Sequence, residues 1–406
     1  MKQWEYFERM VVKAKSGRVE KGEIGRKDQF NYAEAEKASN FHRSFPGYSP
    51  TPLVALDGLA KTIGAAGVYV KDENHRFGLH AFKALGGSYC IGNYIAKKLG
   101  MDIQDLTYEK MVSPEVREKL GSLTFITATD GNHGRGVAWG AKLLGQKCVV
   151  LMPKFSSEDR LYKIRLLGAD AWITDVNYDD TVRMAQKMAD ENGWVLVQDT
   201  AWDGYEEIPG WIMQGYMTMG HEIVEQLGGI RPTHIFLQAG VGAMAGAMTG
   251  FFADYYDGKE GEKDPVIVIV EPDKADCIFK TAEANDGKLH KVEGDLDSIM
   301  AGLCCGEVCP IGWDVLKTRA DHFISITDYF AMNGMRLLSD LEDDDAYITS
   351  GESGAATIGL VQPVMMYEAF AELKEILGLD ENSRILCIST EGATDEEMYW
   401  KIVGGE

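Results

Sequence analysis

Two hydrophobic periods alternate along the chain. Short apolar, β-branched runs bounded by Gly, Pro, Asn or Asp occur at residues 67–71, 124–129, 148–152, 171–174, 194–199, 233–238, 266–270 and 384–389, and each reads as a buried strand. Between them the 3.6-residue spacing of helix dominates at 88–99, 114–120, 134–144, 157–167, 215–227 and 247–252. Strand alternating with helix predicts a mostly parallel sheet covered on both faces, an α/β architecture. Residues 1–50 show no clean period and read as an irregular arm with short helices; the folded body is expected to begin at Thr51-Pro52-Leu53. Asp- and Glu-rich stretches at 258–264 and 340–345 read as solvated loops.

Two stretches add chemistry to this pattern. The first runs from Arg76 to Gly87 and places Lys83 between a strand and a helix, flanked by Phe82, Ala84 and Leu85. An apolar setting keeps part of an amine neutral, as a nucleophilic lysine requires; an ordinary surface lysine at a helix start is the competing reading. In the second, the strand 233–238 runs into Ala239-Gly240-Val241-Gly242-Ala243-Met244 and then a helix. Small residues there let backbone N–H groups close around a phosphate, and equally let a helix pack closely on a sheet. A nucleophilic lysine and a phosphate cup in one α/β chain together suggest pyridoxal 5′-phosphate, which uses both.

Composition narrows the partners. With 41 basic and 63 acidic residues the net charge is −22, which opposes nucleic-acid binding. No stretch reaches membrane-spanning length, no signal peptide opens the chain, and a cytoplasmic location is expected. The seven cysteines read as reduced thiols, with a Cys277 bridge to Cys304 or Cys305 as the alternative. The spacing in Cys304-Cys305-Gly306-Glu307-Val308-Cys309 is not that of a zinc site, and no metal is expected.

Further blocks follow in order: Thr129-Asp130-Gly131-Asn132-His133-Gly134, Gln198-Asp199-Thr200-Ala201-Trp202, Glu271-Pro272-Asp273-Lys274-Ala275-Asp276 and Ser389-Thr390-Glu391-Gly392. With Thr51-Pro52-Leu53, Phe82-Lys83-Ala84-Leu85-Gly86-Gly87 and the cup at Gly240, the set resembles the fold-type II pyridoxal-phosphate enzymes, the group of threonine and serine dehydratases and the tryptophan synthase β chain. The resemblance implies two lobes, each a mostly parallel twisted sheet flanked by helices. Residues 1–87 and 186–406 would form a large cofactor-binding domain and 88–185 a small domain inserted between its halves, with the cofactor in the cleft. It implies pyridoxal 5′-phosphate held covalently at Lys83, with Asn132 on the pyridine 3′-oxygen. The backbone N–H groups of Gly240, Val241, Gly242, Ala243 and Met244 would hold the phosphate, and Thr390, or else Ser389, would face the pyridine nitrogen. A homodimer is expected from the family.

The implied reaction is an α,β-elimination taking 2,3-diaminopropionate, D or L, and water to pyruvate and two ammonia. A serine or threonine dehydratase of the same fold is the alternative, and a non-enzymatic acidic α/β binding protein is a reading of a different class. Asp130 departs from the small polar residue that the dehydratases have near the substrate carboxylate. A carboxylate there is expected either to take a proton from Cα on the face opposite Lys83 or to pair with a cationic group; Asp199 offers a second negative charge for a β-ammonium. By themselves, Asp130 reads as the start of a turn and Asp199 as a helix cap. Trp202 and Tyr205 read as core or cleft wall and His80 and His133 as plausible cleft residues, while the resemblance implies that Glu352 lies near the cofactor ring.

Overall fold

The computed structural model describes residues 9–129, 131–258, 263–341 and 345–405, with the backbone alone of Asp179. Its first strands in chain order are β1 (Val12–Ser16), β2 (Leu53–Ala55), β3 (Gly67–Asp72), β4 (Thr124–Ala128), β5 (Lys147–Met152) and β6 (Asp170–Ile173). Then come β7 (Val195–Leu196), β8 (His234–Gln238), β9 (Val266–Pro272), β10 (His322–Ile326) and β11 (Arg384–Ser389). The chain divides into two compact units, one of Met1–Asn31, Thr51–Ala81 and Glu222–Glu406, the other of Tyr32–Pro50 and Phe82–His221.

The first unit is built on a seven-stranded sheet in the order β1-β10-β9-β8-β11-β3-β2. Its inner strands are parallel, and β8 is buried along its whole length, as expected of strands covered on both faces. The two edges are antiparallel: β1 on β10 and β2 on β3. Lys13 and Lys15 on β1 put charge on an exposed edge, which discourages further strand pairing. The strand at residues 12–16 corrects the irregular-arm expectation, which did allow a helix such as Tyr32–Arg43. Leu56, Val68, Val70, Phe236, Val268, Ile324 and Ile385 belong to the core of this unit. Because β3, β11 and β8 are neighbouring parallel strands, the turn after Asp72, the segment after Ser389 and the loop after Gln238 all leave the same edge of one sheet.

The second unit holds a four-stranded, all-parallel sheet, β6-β5-β4-β7. Here β4 and β7 are neighbours, so Thr129 and Asp199 follow adjacent carboxyl ends. A boundary at 185/186 would cut the helix Tyr178–Asn192, whose Ala185 and Ala189 pack with Ile126, Ala128, Val149, Leu151 and Leu196. Residues 186–221 therefore stay with this unit, as do 32–50, and the chain passes between units at 81/82 rather than at 87/88.

Candidate active site

In the first unit, β3 runs into a short 3₁₀ turn, Glu73–Gly78. Phe77 (φ 51°), Gly78 (φ 69°) and His80 (φ 55°) adopt left-handed backbone here, a conformation that side-chain-bearing residues keep only when their surroundings enforce it. The enforcement is a fully buried ion cluster. Arg76 donates to Glu73 Oε1 and Oε2 at 2.8 Å and to Glu222 Oε1 and Oε2 at 2.7 and 2.8 Å, and Lys71 Nζ lies 2.6 Å from Glu222 Oε2. Thr51 of the Thr-Pro-Leu block joins it, donating its hydroxyl to Glu73 at 2.6 Å. On the other side of the turn the Gly392 N–H donates to the His80 carbonyl oxygen, tying the turn to the segment that follows β11.

In the second unit, Lys83 is the first residue of the helix Lys83–Leu99. The glycines behind it have distinct packing duties. A Cβ on Gly86 would collide with Tyr216 and Ile212 of the helix Glu207–Leu227, and one on Gly87 would lie 2.8 Å from the Gly136 carbonyl carbon in the helix Asn132–Leu143. Gly136 in turn faces the Lys83 backbone, where a Cβ would stand 2.6 Å from the Lys83 carbonyl oxygen. Helix-on-helix approach without intervening side chains thus sets where Lys83 stands.

Its ammonium meets Asp199, with Nζ to Oδ2 at 2.6 Å. Behind Asp199, the Tyr205 hydroxyl donates to the Leu196 carbonyl oxygen and accepts from the Gln198 N–H, both at 2.9 Å, and the Gln198 amide grips the Ala128 backbone. His133, nearly fully buried, shares Nε2 with the Val197 carbonyl oxygen at 2.9 Å and places Nδ1 3.7 Å from Asp199 Oδ2. Burial pushes the Asp199 carboxyl up, but His133 and Lys83 outweigh it and hold the group well below the usual carboxylate range. Asp199 is therefore ionised at neutral pH, and it is not the helix cap that its local sequence also allows. Thr129 Oγ1 accepts from the N–H groups of Gly131 (3.0 Å) and Gly134 (3.2 Å), shaping the turn that presents Asn132 at the helix start. Asp130 lies outside the described residues.

The first unit carries the remaining candidates. The loop 239–242 leads into the helix Ala243–Tyr256, with Gly242 as its N-cap in left-handed conformation (φ 92°) and no side chain capping it. Space as well as conformation demands small residues: a Cβ on Gly240 would stand 3.1 Å from Cys305 Sγ, and one on Gly242 2.8 Å from Ile278 Cδ1. At the end of β11 the two hydroxyls differ. Ser389 donates to Ser350 at 2.8 Å, whereas Thr390 accepts from Gln238 Nε2 at 3.1 Å and keeps its own proton for another acceptor. Glu352 and Glu391 are both buried, and Glu391 accepts the Ser353 N–H at 3.2 Å. Glu271 spends its carboxylate on the N–H groups of Ile278 and Phe279, capping the helix Cys277–Ala284. All seven cysteines are free thiols, so the Cys277 bridge is not formed. Gln238, Ser350 and the Arg76 cluster had no signal in the sequence, because each acts on partners far along the chain.

A family model described as pyridoxal-phosphate dependent enzyme matches residues 44–391. Diaminopropionate ammonia-lyase of Salmonella typhimurium is 48% identical over 367 residues, covering 89% of this chain and 90% of that one. Its Escherichia coli counterpart is 47% identical over 376 residues, 92% of each. Among solved structures, the Escherichia coli enzyme in complex with D-serine superposes with a TM-score of 0.89 at 44% identity, over 97% of both chains. The same enzyme with an aminoacrylate-PLP azomethine reaction intermediate gives 0.88 over the same shares. A threonine deaminase from Solanum lycopersicum, 18% identical, shares the fold at a TM-score of 0.70.

Proposed function

The chain belongs to the pyridoxal-phosphate dependent enzymes, and on that premise we propose that it converts 2,3-diaminopropionate, D or L, and water to pyruvate and two ammonia. Identity of 47–48% along nearly its whole length to enzymes of that name carries the reading. Fold similarity to threonine deaminases alone would leave serine or threonine dehydration equally open.

The residues present fit the cofactor. A glycine-lined loop at the side-chain-free start of a fourteen-residue helix suits a phosphate, the Thr390 hydroxyl retains a proton for a ring nitrogen, and Asn132 stands at a helix start for a ring oxygen. Thr390 is favoured over Ser389, whose hydroxyl is spent on Ser350. When bound, pyridoxal 5′-phosphate supplies the electron sink that makes the substrate Cα–H acidic.

The chain's own groups do the rest. Lys83 Nζ would hold the cofactor, and as a free amine it would take the Cα proton from its own face. Asp199 at 2.6 Å orients that amine and balances its charge once protonated. Being ionised, Asp199 also offers a counter-charge to the β-ammonium, which leaves as ammonia with the C–N electron pair. Water then releases the second nitrogen, so that atoms and charge balance. Asp130 takes the Cα proton of the isomer that presents it on the opposite face.

An absorbance spectrum of the purified protein, before and after adding each isomer, tests this together with Lys83→Ala and Asp130→Asn. A visible band lost in Lys83→Ala, with pyruvate formed by the wild type, is expected. Asp130→Asn should cripple the D isomer and spare much of the L activity. Equal loss with both isomers refutes the two-face assignment, and faster turnover of L-serine or L-threonine favours the dehydratase. No helix of the described residues is long and apolar enough to cross a membrane. The family suggests a homodimer and the sequence suggests a cytoplasmic location; sedimentation and fractionation check the two.

A further inference from the structure

The first unit carries a cavity of about 240 Å³ that no step of the elimination uses. One wall is the helix Pro310–Arg319, whose Pro310, Trp313, Asp314 and Lys317 recur at the spacing of a single helical face. The other wall is the turn 285–289, which follows the helix Cys277–Ala284 and includes Lys288 and Leu289. Left-handed backbone at Asn285 (φ 45°) and Gly287 (φ 77°) makes that turn, and the His290 N–H closes it by donating to Thr281 Oγ1 at 2.9 Å. Gly312 and Leu316, on the opposite side of the helix Pro310–Arg319, pack against Gly246 and Gly242. The cavity therefore lies across this helix from the loop 239–242, and a ligand in it would not occupy the cup.

Four charged side chains line the cavity, and three of them answer one another. Lys317 Nζ stands 3.5 Å from Glu20 Oε2 and 3.4 Å from Asp314 Oδ1, and Asp314 Oδ2 also accepts from Arg26 Nε at 2.9 Å. Lys288 is the charge left over, since it forms no ion pair among the described residues. Asp286, two positions away, shares Oδ1 with His290 Nε2 at 3.1 Å and with the Lys288 backbone N–H at 3.0 Å. The chain's overall charge of −22 is screened beyond about 10 Å at ordinary ionic strength, so the local surplus decides which sign of ligand is drawn in. The rest of the lining offers an apolar surface: Trp313 is 9% exposed, and Leu289 beside the cavity is left 44% exposed. At about 30 Å³ per water molecule the volume suits a ligand of roughly ten non-hydrogen atoms.

We propose that this cavity is a binding site for a compact organic monoanion of the aromatic carboxylate class, with its carboxylate on Lys288 and its ring against Trp313 and Leu289. The site takes no part in the elimination, and it stands whether or not diaminopropionate is the substrate.

The test titrates the holoenzyme with phenylacetate and with its neutral amide, phenylacetamide, by ligand-observed NMR. Phenylacetate should bind with a dissociation constant of about 0.1–10 mM, in keeping with its size, and the amide about tenfold more weakly for want of the charge. Lys288→Met should weaken phenylacetate about tenfold and leave phenylacetamide unchanged, while Lys288→Arg should keep most of the affinity. Trp313→Leu should weaken both ligands. In Lys288→Met the kcat/KM for diaminopropionate should stay within about twofold of wild type. Absence of saturable phenylacetate binding up to about 10 mM, or equal affinity for acid and amide, overturns the proposal. Undiminished phenylacetate binding in Lys288→Met also overturns it, because the ligand would then sit elsewhere on the protein. If Trp313→Leu does not fold, the exposed Lys288 decides alone. A holoenzyme that binds phenylacetate through Lys288 but releases no pyruvate from diaminopropionate refutes the proposed reaction and upholds the site.

Discussion

Gly136→Ala adds a single methyl behind Lys83, the lysine proposed to hold the cofactor, without touching any side chain proposed to do chemistry. The methyl carbon would lie 2.6 Å from the Lys83 carbonyl oxygen, 2.8 Å from its carbonyl carbon and 2.9 Å from the Ala84 nitrogen. Ordinary contact begins near 3.4 Å, so 3.4 − 2.6 = 0.8 Å must be found, and because all three atoms are backbone, rotating a side chain cannot supply it. The first turn of the helix Lys83–Leu99 has to move, carrying Lys83 with it. In stability the change is mild: overpacking costs ~1–3 kcal/mol and alanine regains ~1 kcal/mol of helix propensity over glycine. In rate it is not, since misplacement by about 1 Å can cost about a hundredfold. We expect kcat for diaminopropionate to fall by roughly ten- to a hundredfold with a thermal midpoint within a few degrees of wild type. The assay is pyruvate release at saturating substrate, set beside a thermal melt. Gly140→Ala, one turn along the same helix, needs only 3.4 − 3.1 = 0.3 Å against Ser88 Cα and should keep kcat within about threefold. A folded Gly136→Ala enzyme with undiminished kcat, or equal losses at both positions, would refute the argument that this helix contact sets the lysine.

Glu222 has its carboxyl held down to about 2: burial pushes it up, and Arg76 and Lys71 more than reverse that. Its stabilisation is therefore complete above the ordinary value of 4.5 and is lost as pH falls from there towards 2. Glu222→Gln should lower stability at pH 7 by ~3–5 kcal/mol in urea unfolding, with the gap narrowing below pH ~4.5; a gap independent of pH would contradict this. Asp199 is likewise depressed, so the acid limb of kcat/KM near neutral pH should belong to another group, and Asp199→Asn should cut kcat by ~10²–10⁴ while its melt shifts little. Activity of the Asp199→Asn enzyme within about threefold of wild type would remove Asp199 from the chemistry. Thr390→Ala should shift the cofactor's visible band more than Ser389→Ala does, because only Thr390 has a proton to offer; the reverse order would exchange their roles.

The strands that the pattern made legible are the buried parallel ones, because a strand covered on both faces is apolar along its middle, as Ile235-Phe236-Leu237 of β8 and Ile385-Leu386-Cys387-Ile388 of β11 are. The edge strands β1 and β2 escaped because one side meets water, and in β1 the lysines that protect the edge erase the pattern. β10 was also missed, although its Phe323-Ile324-Ser325-Ile326 run is apolar enough to be read as a strand. Candidate chemistry divides along similar lines. Lys83, Asp199 and the Gly240 cup are legible because each belongs to a local motif between a strand and the next helix. His133 beside Asp199, Gln238 holding Thr390 and Arg76 between two glutamates are not, since their partners lie 66, 152 and up to 146 positions away. The glycines join the two levels. Gly86 and Gly87 look like mere turn residues beside Lys83, yet each is required by a different helix arriving from elsewhere in the chain. A motif that reads as local chemistry is therefore also a record of tertiary packing, and substituting its glycines tests that packing without altering any reacting group.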